Sequence, residues 1–278
     1  MKLILRLLLA VFLLSFTLAL IPAAGADSVK GSLRGLDFCG ESVPLNQVEI
    51  FKTLDQNLVI LTESRSRIWL TLRRSPRFLP LIEKILAQAN VPVDLKYLPL
   101  AVTHLSPAYN NFGRGLWRLR EAEAKNLGLR VDAAVDERLD TIAATNAAAQ
   151  RLTELKKNYG SWTSAMAAHL LGEAAFQRAV AEAGGETNFY KLYFQDGQDQ
   201  LPMSVLAGKI LFRDPAAFGY VQDPIRAWPA WPGRRVVVSA PTTLKALADQ
   251  HGRDYKSFRD MNPHLLKSAV PAGVTINY

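Results

Sequence analysis

The stretch from position 85 to position 120 of this 278-residue chain is poor in acids. Its only acidic residue is Asp94, and its only histidine is His104. A carboxylic acid kept protonated by an apolar pocket can protonate a departing oxygen. A histidine with an ordinary pKa near ~6.5 is mostly deprotonated at neutral pH and donates poorly. General acid chemistry is therefore the first function to test against these residues.

An apolar period around position 100 predicts the helix that would carry such a site. Leu95, Leu98, Val102 and Leu105 are spaced three, four and three residues apart. This spacing places the four side chains on one helix face that turns toward a core. Pro99 must then lie where a missing N–H is tolerated or where the helix bends. Val102 is expected to point inward.

The residue order of this stretch resembles the lytic murein transglycosylases of the soluble-transglycosylase type, in particular the membrane-bound D group with LysM modules. Their first motif, Leu-Pro-(Ile/Leu)-Val-Glu-Ser, is matched by residues 98–103, LPLAVT. The resemblance implies a glutamate that protonates the glycosidic oxygen and then takes the proton of the sugar's 6-hydroxyl, giving an anhydro product. Val102 stands at that position and can do neither step. Asp94 lies eight positions away on another side of the helix. We therefore predict no catalytic residue and a pseudoenzyme.

Three further motifs of the family keep their packing residues and lose their polar ones. Gly-x-Trp-Gln is GLWR at 115–118, Ala-Ala-Tyr-Asn-x-Gly-Glu is AAHLLGE at 167–173, and Tyr-(Val/Ile)-Pro is QLP at 200–202. Such a coordinated change is expected of a site freed from acid catalysis. The resemblance implies a substrate groove lined by Thr103, Gly115, Trp117, Arg118, His169, Leu170, Glu173 and Gln200.

An active enzyme with an unfamiliar acid is the alternative. It would cleave MurNAc–GlcNAc bonds without hydrolysis and give 1,6-anhydro products. His104 points to a different helix face from Val102. His169, on an Ala/Leu-rich helix, is more typical of a core or groove residue. Glu173 matches a supporting position of the family and equally suits a helix surface.

The elements that must position these residues predict a mainly α fold, with a lysozyme-like transglycosylase domain followed by a small α/β LysM-like module. Apolar periods and Ala-rich runs indicate helices from 45 to 90, 142 to 155, 162 to 183 and 202 to 212, with a helix stop at 158–160. The predicted division is a signal peptide at 1–26, an N-terminal loop and helical region packing on the core at 27–90, the transglycosylase-like domain at 91–222, a Pro/Trp linker at 223–233 and the LysM-like module at 234–278.

The last segment changes to a strand, helix, helix, strand order. Residues 236–238 and 274–278 read as strands, with short helices at 242–251 and 255–261. This order is similar to a LysM module, although the Gly-Asp that usually precedes the threonine is absent. The matching positions are Thr243, Leu244, Asn262 and Pro263.

The N-terminus has the features of a secretory signal peptide. Lys2 and Arg6 precede an apolar run at 7–21, and the small residues at 24–26 form a cleavage site near Ala26. We expect export, with a periplasmic location and no stable membrane span after cleavage. An uncleaved membrane anchor is the alternative, although the apolar run is short for a bilayer span.

The charge is basic but spread out. The whole chain carries 33 basic and 25 acidic residues, a net +8. This excess favours anionic surfaces such as cell wall, and no Lys/Arg block with interleaved aromatics indicates nucleic acid. An arginine cluster at 65–77 suits either anionic wall polymers or a solvated face. The single cysteine, Cys39, excludes an internal disulfide and is expected to be a buried small hydrophobe.

These patterns together predict an exported lytic-transglycosylase homologue with impaired catalysis. Its expected partner is the glycan strands of peptidoglycan, with other cell-wall enzymes as further candidates. We expect no cofactor and no metal.

Overall fold

The structure is a computed structural model that describes Leu33 and residues 35–106, 113–221, 227–230 and 233–278. The predicted signal peptide at 1–26 and most of the predicted linker at 223–233 lie outside these residues. No helix of the described ranges combines the length and apolar character needed to cross a bilayer.

The larger part of the described chain is helical, which confirms the predicted mainly α class. A short hairpin of β1 (Asp37–Phe38) and β2 (Glu41–Ser42) comes first. The helices that follow are α1 (Val48–Glu63), α2 (Arg65–Gln88), α3 (Tyr97–Val102), α4 (Glu121–Asn126), α5 (Thr141–Tyr159), α6 (Trp162–Leu171), α7 (Glu173–Glu182) and α8 (Gln200–Arg213). Short 3₁₀ turns lie at Val93–Lys96, Glu137–Leu139, Phe189–Lys191, Gln195–Gly197 and Pro215–Phe218.

The ends of the two central helices follow from local chemistry. The Asp140 carboxylate accepts the Ala143 N–H at the start of α5, and Gly160 ends this helix in the left-handed conformation at φ 80°. The Ala-rich run at 162–183 reads as one helical stretch in the sequence, but the structure divides it at Gly172. Gly172 has φ 91°, and the Arg120 guanidinium occupies the space beside its Cα.

The core of the helical domain forms where α8 packs against α1 and α3. Gly208 permits this close approach, because a Cβ on it would lie 2.7 Å from the Cβ of Ala101. Leu95, Leu98 and Leu105 of the predicted apolar face are fully buried in this core. These three leucines turn inward as predicted, but not on one helix face, because α3 ends at Val102 and Leu105 follows it with a left-handed backbone at φ 51°.

The N-terminal hairpin is held to the domain by charged groups. Lys209 of α8 is almost fully buried and pairs with Asp94 at 2.7 Å and with Asp37 at 3.3 Å. Asp94 also accepts the backbone N–H of Cys39 at 2.8 Å. The Glu41 carboxylate accepts N–H groups at the start of α6. Asp94 thus serves as a structural anchor.

The C-terminal module contains the predicted strand, helix, helix and strand in that order, and two further two-residue strands that were not predicted. Its strands β3 (Arg235–Val237) and β6 (Thr275–Asn277) pair antiparallel, with Val236 opposite Ile276. Its other elements are β4 (Thr242–Thr243), α9 (Leu244–Gln250), α10 (Tyr255–Met261) and β5 (Ala269–Val270). Buried side chains from both helices and from β6 form a separate small core.

A segment of the helical domain docks into this module. Val135 is fully buried and belongs to the core of the module, and it forms an isolated bridge with Leu265. The N–H of Asp136 donates to the carbonyl of His264 at 2.8 Å. Beside them, the buried Asp140 carboxylate accepts bonds from Arg235 and Asn277 at 3.1 Å each.

Part of the arginine cluster on α2 packs against an aromatic ring. The guanidinium groups of Arg74 and Arg77 lie 5.4 and 5.2 Å from the ring centre of Trp228. The backbone N–H of Trp228 donates to the backbone carbonyl of Arg73 at 2.8 Å. These arginines therefore hold the described part of the predicted linker against α2.

Candidate active site

Val102 is the last residue of α3 and is half-buried against the helical core. Pro99 is the third residue of this helix, where its missing N–H leaves no helical bond unmade. The next residue, Thr103, is buried, and its hydroxyl lies 2.9 Å from the Pro99 carbonyl and 3.1 Å from the Leu116 carbonyl. The end of α3 is thereby tied to the turn that carries the second motif.

That turn is shaped by two residues of the second motif. Gly115 has φ 72°, and a Cβ on it would lie 1.7 Å from the carbonyl oxygen of Arg138. Only glycine fits this position. Trp117 is completely buried, and its indole N–H donates to the Thr145 hydroxyl at 2.9 Å. The Trp117 ring is therefore a packing anchor for the turn.

His169 lies behind the same turn and is 3% exposed. Its Nε2 is 2.9 Å from the carbonyl oxygen of Trp117. A carbonyl only accepts, so Nε2 carries the hydrogen and Nδ1 is the bare nitrogen. Burial lowers the pKa of His169, which keeps the ring neutral. The ring thus holds its one proton in an internal hydrogen bond.

Glu173 begins α7 and forms part of a charged cluster. Arg151 donates to it at 2.6 Å and the Tyr159 hydroxyl donates to it at 3.0 Å. Partial burial acts to raise the pKa of Glu173, but these two donors outweigh it and the pKa is lowered. Glu173 is therefore an ionised carboxylate.

His104 is also kept neutral. Burial, together with the positive charges of Arg67 and Arg74, lowers its pKa to about 4. The Arg74 guanidinium donates to the carbonyl oxygen of His104 at 3.1 Å. The His104 backbone is left-handed at φ 54°, so this residue does not continue the helical conformation of α3.

A cleft of about 1060 Å³ lies between α1, the start of α8 and the α6–α7 junction. Three of the predicted groove residues, Arg118, Leu170 and Gln200, line it together, and the Gln200 side-chain oxygen accepts a bond from Asn57 at 2.7 Å. Val102 and the other five predicted groove residues lie outside this lining. The lining consists of Asp55, Gln56, Asn57, Val59, Ile60, Arg118, Arg120, Leu170, Leu171, Ala175, Arg178, Gly197, Gln198, Gln200, Leu201 and Ser204.

The side of the cleft formed by α1 contains residues that the sequence analysis did not single out. Val59 and Ile60 are 52% and 63% exposed although both are aliphatic. Their signal in the sequence was two adjacent apolar residues, beside Leu58 of the buried face. Exposed aliphatic side chains at a concave surface are typical of a binding site.

The charge of the cleft is positive, with Arg118, Arg120 and Arg178 facing a single aspartate, Asp55. Burial and the charge of Arg120 lower the pKa of Arg118. Arg120 donates to the carbonyl oxygens of His169 and Leu170, 3.3 and 3.4 Å away, at the C-terminal end of α6. Its guanidinium is therefore fixed in direction.

Asp199, which the sequence analysis passed over, directly precedes the Gln200 of the cleft at the start of α8. Partial burial raises the pKa of Asp199. The raised pKa favours the protonated form of this carboxyl group, which is the form that can donate a proton. The sequence signal was weak, because an acidic residue before a helix is usually a cap.

The predicted LysM-like positions are mostly internal to the module. The Thr243 hydroxyl accepts the Ala246 N–H at the start of α9, and Leu244 is fully buried. Asn262 is fully buried and exchanges two hydrogen bonds with the Asn277 backbone. Pro263 is half-buried beside it. Three of the four positions thus stabilise the module. Across the ranges that the structure describes, no group of three or more histidine, cysteine or acidic side chains converges as a metal site.

Comparison with known proteins places the central helices in a family. Residues 96–191 match the model of the transglycosylase SLT domain. The chain is 24% identical over 244 residues to membrane-bound lytic murein transglycosylase D of Escherichia coli strain K12, covering 84% of this chain and 53% of that protein. The same figures hold for the protein of E. coli O6:H1 strain CFT073. An Alteromonas sp. strain M-1 protein named for tributyltin chloride resistance is 28% identical over 184 residues, 65% of this chain and 86% of its own length.

The chain spans about half the length of the E. coli relatives it matches. The family match covers α3 to the 3₁₀ turn at Phe189–Lys191, and so includes three of the four motifs found in the sequence. Residues 96–191 therefore carry a transglycosylase SLT domain, and the chain is similar over most of its length to membrane-bound lytic murein transglycosylase D.

Proposed function

We propose that this chain is an exported lytic-transglycosylase homologue with impaired catalysis that binds peptidoglycan or a partner in wall remodelling. The names of the E. coli relatives support a wall substrate, and the predicted signal peptide supports export. We further propose that the C-terminal module is LysM-like and that the Val102 position is the former acid position.

The main support for this proposal is that the first family motif, at residues 98–103, contains no side chain that could act as a general acid. Val102 has no proton to give, His169 and His104 are neutral, and Glu173 is ionised. None of these side chains is in the state required to protonate a glycosidic oxygen. The buried proton of His169 is moreover engaged with the Trp117 carbonyl.

Two assays test this proposal. Purified protein lacking residues 1–26 should sediment with isolated peptidoglycan, and sedimentation no greater than that of a non-binding control would leave only a scaffold role. The same protein should release no anhydro-muropeptides from purified wall. Release at a rate unchanged by His169→Ala and Glu173→Ala would contradict impairment, and release abolished by either change would identify a substitute acid.

The alternative is an active transglycosylase with an unfamiliar acid, and Asp199 is the observation that favours it. Its raised pKa and its position next to Gln200 in the sequence support this alternative, although Asp199 is not itself among the residues that line the cleft. Asp199→Asn should then abolish anhydro-muropeptide release by the wild-type protein, whereas the proposal of impairment expects no release to abolish.

A further inference from the structure

The cleft is lined by aliphatic and cationic side chains, together with the neutral polar side chains of Gln56, Asn57, Gln198, Gln200 and Ser204. Among the described residues that line it, none is aromatic and Asp55 is the only carboxylate. Aliphatic surface comes from both walls, with Val59 and Ile60 of α1 opposite Leu170 and Leu171 of α6. This composition defines which ligand chemistry the cleft favours.

The three guanidinium groups of this lining favour a ligand with carboxylates over a neutral sugar chain. Sugar hydroxyls act both as donors and as acceptors, and the guanidinium groups of Arg118, Arg120 and Arg178 only donate. No aromatic face of the described lining is present to pack against a pyranose ring. Carboxylates, which only accept, match guanidinium groups in charge and geometry.

The arrangement of the arginines adds charge complementarity. Arg120 is held by two carbonyl oxygens of α6, and its side chain lies against Gly172, where a Cβ would come within 3.0 Å of it. Burial, and after it the charge of Arg120, lowers the pKa of Arg118, and the two like-charged guanidinium groups repel each other. An anion bound near both would reverse this repulsion. Arg178 is exposed and has no ion pair among the described residues.

We propose that this cleft binds a short peptide with free carboxylates and small aliphatic side chains, namely the peptide stem of peptidoglycan and not its glycan strand. The carboxylates pair with Arg118 and Arg178, and the methyl groups pack on Val59 and Ile60. A volume of about 1060 Å³ accommodates a ligand of several residues. This inference rests on the proposed function, because it assigns the part of the wall that the cleft recognises.

The first experiment compares intact sacculi with sacculi whose peptides have been removed by an amidase. Sedimentation with intact sacculi and a loss of about tenfold or more with stripped sacculi is the expected result. Equal binding to both would overturn the peptide inference while leaving peptidoglycan binding in place. No binding to either would overturn the proposed function itself.

The second experiment measures calorimetric binding of the tetrapeptide alanyl-γ-glutamyl-lysyl-alanine. Full amidation of its carboxylates should weaken binding about tenfold or more. Arg118→Gln with Arg178→Gln should weaken the free acid similarly, whereas Lys84→Gln with Lys157→Gln, an equal charge change at exposed sites elsewhere, should leave it unchanged. Equal affinity for the acid and the amide in the wild-type protein would refute the inference even if the arginine variant failed to fold.

Discussion

The Nε2 of His169 lies 2.9 Å from the carbonyl oxygen of Trp117, and both residues are buried. This bond joins α6 to the turn of the second motif. The indole N–H of Trp117 extends the connection to Thr145 of α5. These two hydrogen bonds between neutral groups thus connect three segments of the helical domain.

A glutamate introduced at position 102 alone should not confer activity. We predict that Val102→Glu releases anhydro-muropeptides within about twofold of the wild-type background. The reason is that Arg118 would pair with the new carboxylate and lower its pKa, whereas a general acid must be protonated. Release from purified wall, followed by chromatography of the products, measures this.

Returning all five positions to the residues of the family motifs should give more release of anhydro-muropeptides than Val102→Glu alone. The combined variant is Val102→Glu, Arg118→Gln, His169→Tyr, Leu170→Asn and Gln200→Tyr. We expect detectable release from this variant only, since it removes the cation and returns the polar groups of the family motifs. Full activity of the single Val102→Glu variant would refute the argument based on Arg118.

The buried state of His104 should make stability depend on pH. Its pKa of about 4 in the folded protein lies below the ordinary ~6.5 of an unfolded chain, so the unfolded state binds the proton first as the pH falls. Stability from this group is therefore complete above pH ~7 and is lost as the pH falls toward 4, by about 2 kcal/mol between pH 7 and 5.

We predict that His104→Asn removes this part of the pH dependence. Asparagine tolerates the left-handed backbone at φ 54°, which makes it a suitable replacement. Urea unfolding at pH 7 and pH 5 provides the measurement. An unchanged difference between the two pH values in the variant would show that other groups carry the acid sensitivity.

Gly115 should tolerate no side chain. Alanine there would place Cβ 1.7 Å from the Arg138 carbonyl oxygen at a positive φ, and we expect a loss of about 3 kcal/mol or more in the free energy of unfolding. Gly160→Ala is the matched control, because Gly160 also has a positive φ but open space around it. It should cost only about 1 kcal/mol. Equal losses would mean that the contact with Arg138 is unimportant.

Val135 should contribute to the stability of the C-terminal module although it belongs to the helical domain. Val135→Ala should lower the free energy of unfolding by about 2 kcal/mol, because the side chain is fully buried among residues of the module. Val236→Ala, at a 40% exposed position, should cost much less. Thermal unfolding and limited proteolysis of the module compare the two, and equal effects would contradict docking through Val135.

The fold was predictable wherever local patterns determine it. The stop at Gly160 and the element order of the C-terminal module follow from turn chemistry and apolar spacing, and the structure has both. The outward position of Val48 and Phe51 was not predictable, because their spacing fits the buried face of α1 while no element among the described residues covers them. The break at Gly172 depends on Arg120, which is distant in sequence.

The candidate site was predictable in composition but less so in arrangement. The sequence favoured a packing role for Trp117 and a core or groove position for His169, and both side chains are buried. The wall contributed by α1 was missed, since no motif marks Val59 or Ile60. Such a wall arises from packing between elements more than a hundred residues apart, which local sequence patterns do not encode.

The docking of the C-terminal module by the segment around Val135 has a consequence for avidity. Two ligand-binding surfaces joined only by a flexible tether lose effective concentration as the tether lengthens. Here the bridge to Leu265 and the buried bonds of Asp140 fix the module against the helical domain. If both surfaces bind the wall, the second binding event needs no search through tether conformations. The protein would then favour wall regions in which two binding sites lie as far apart as its own two binding surfaces.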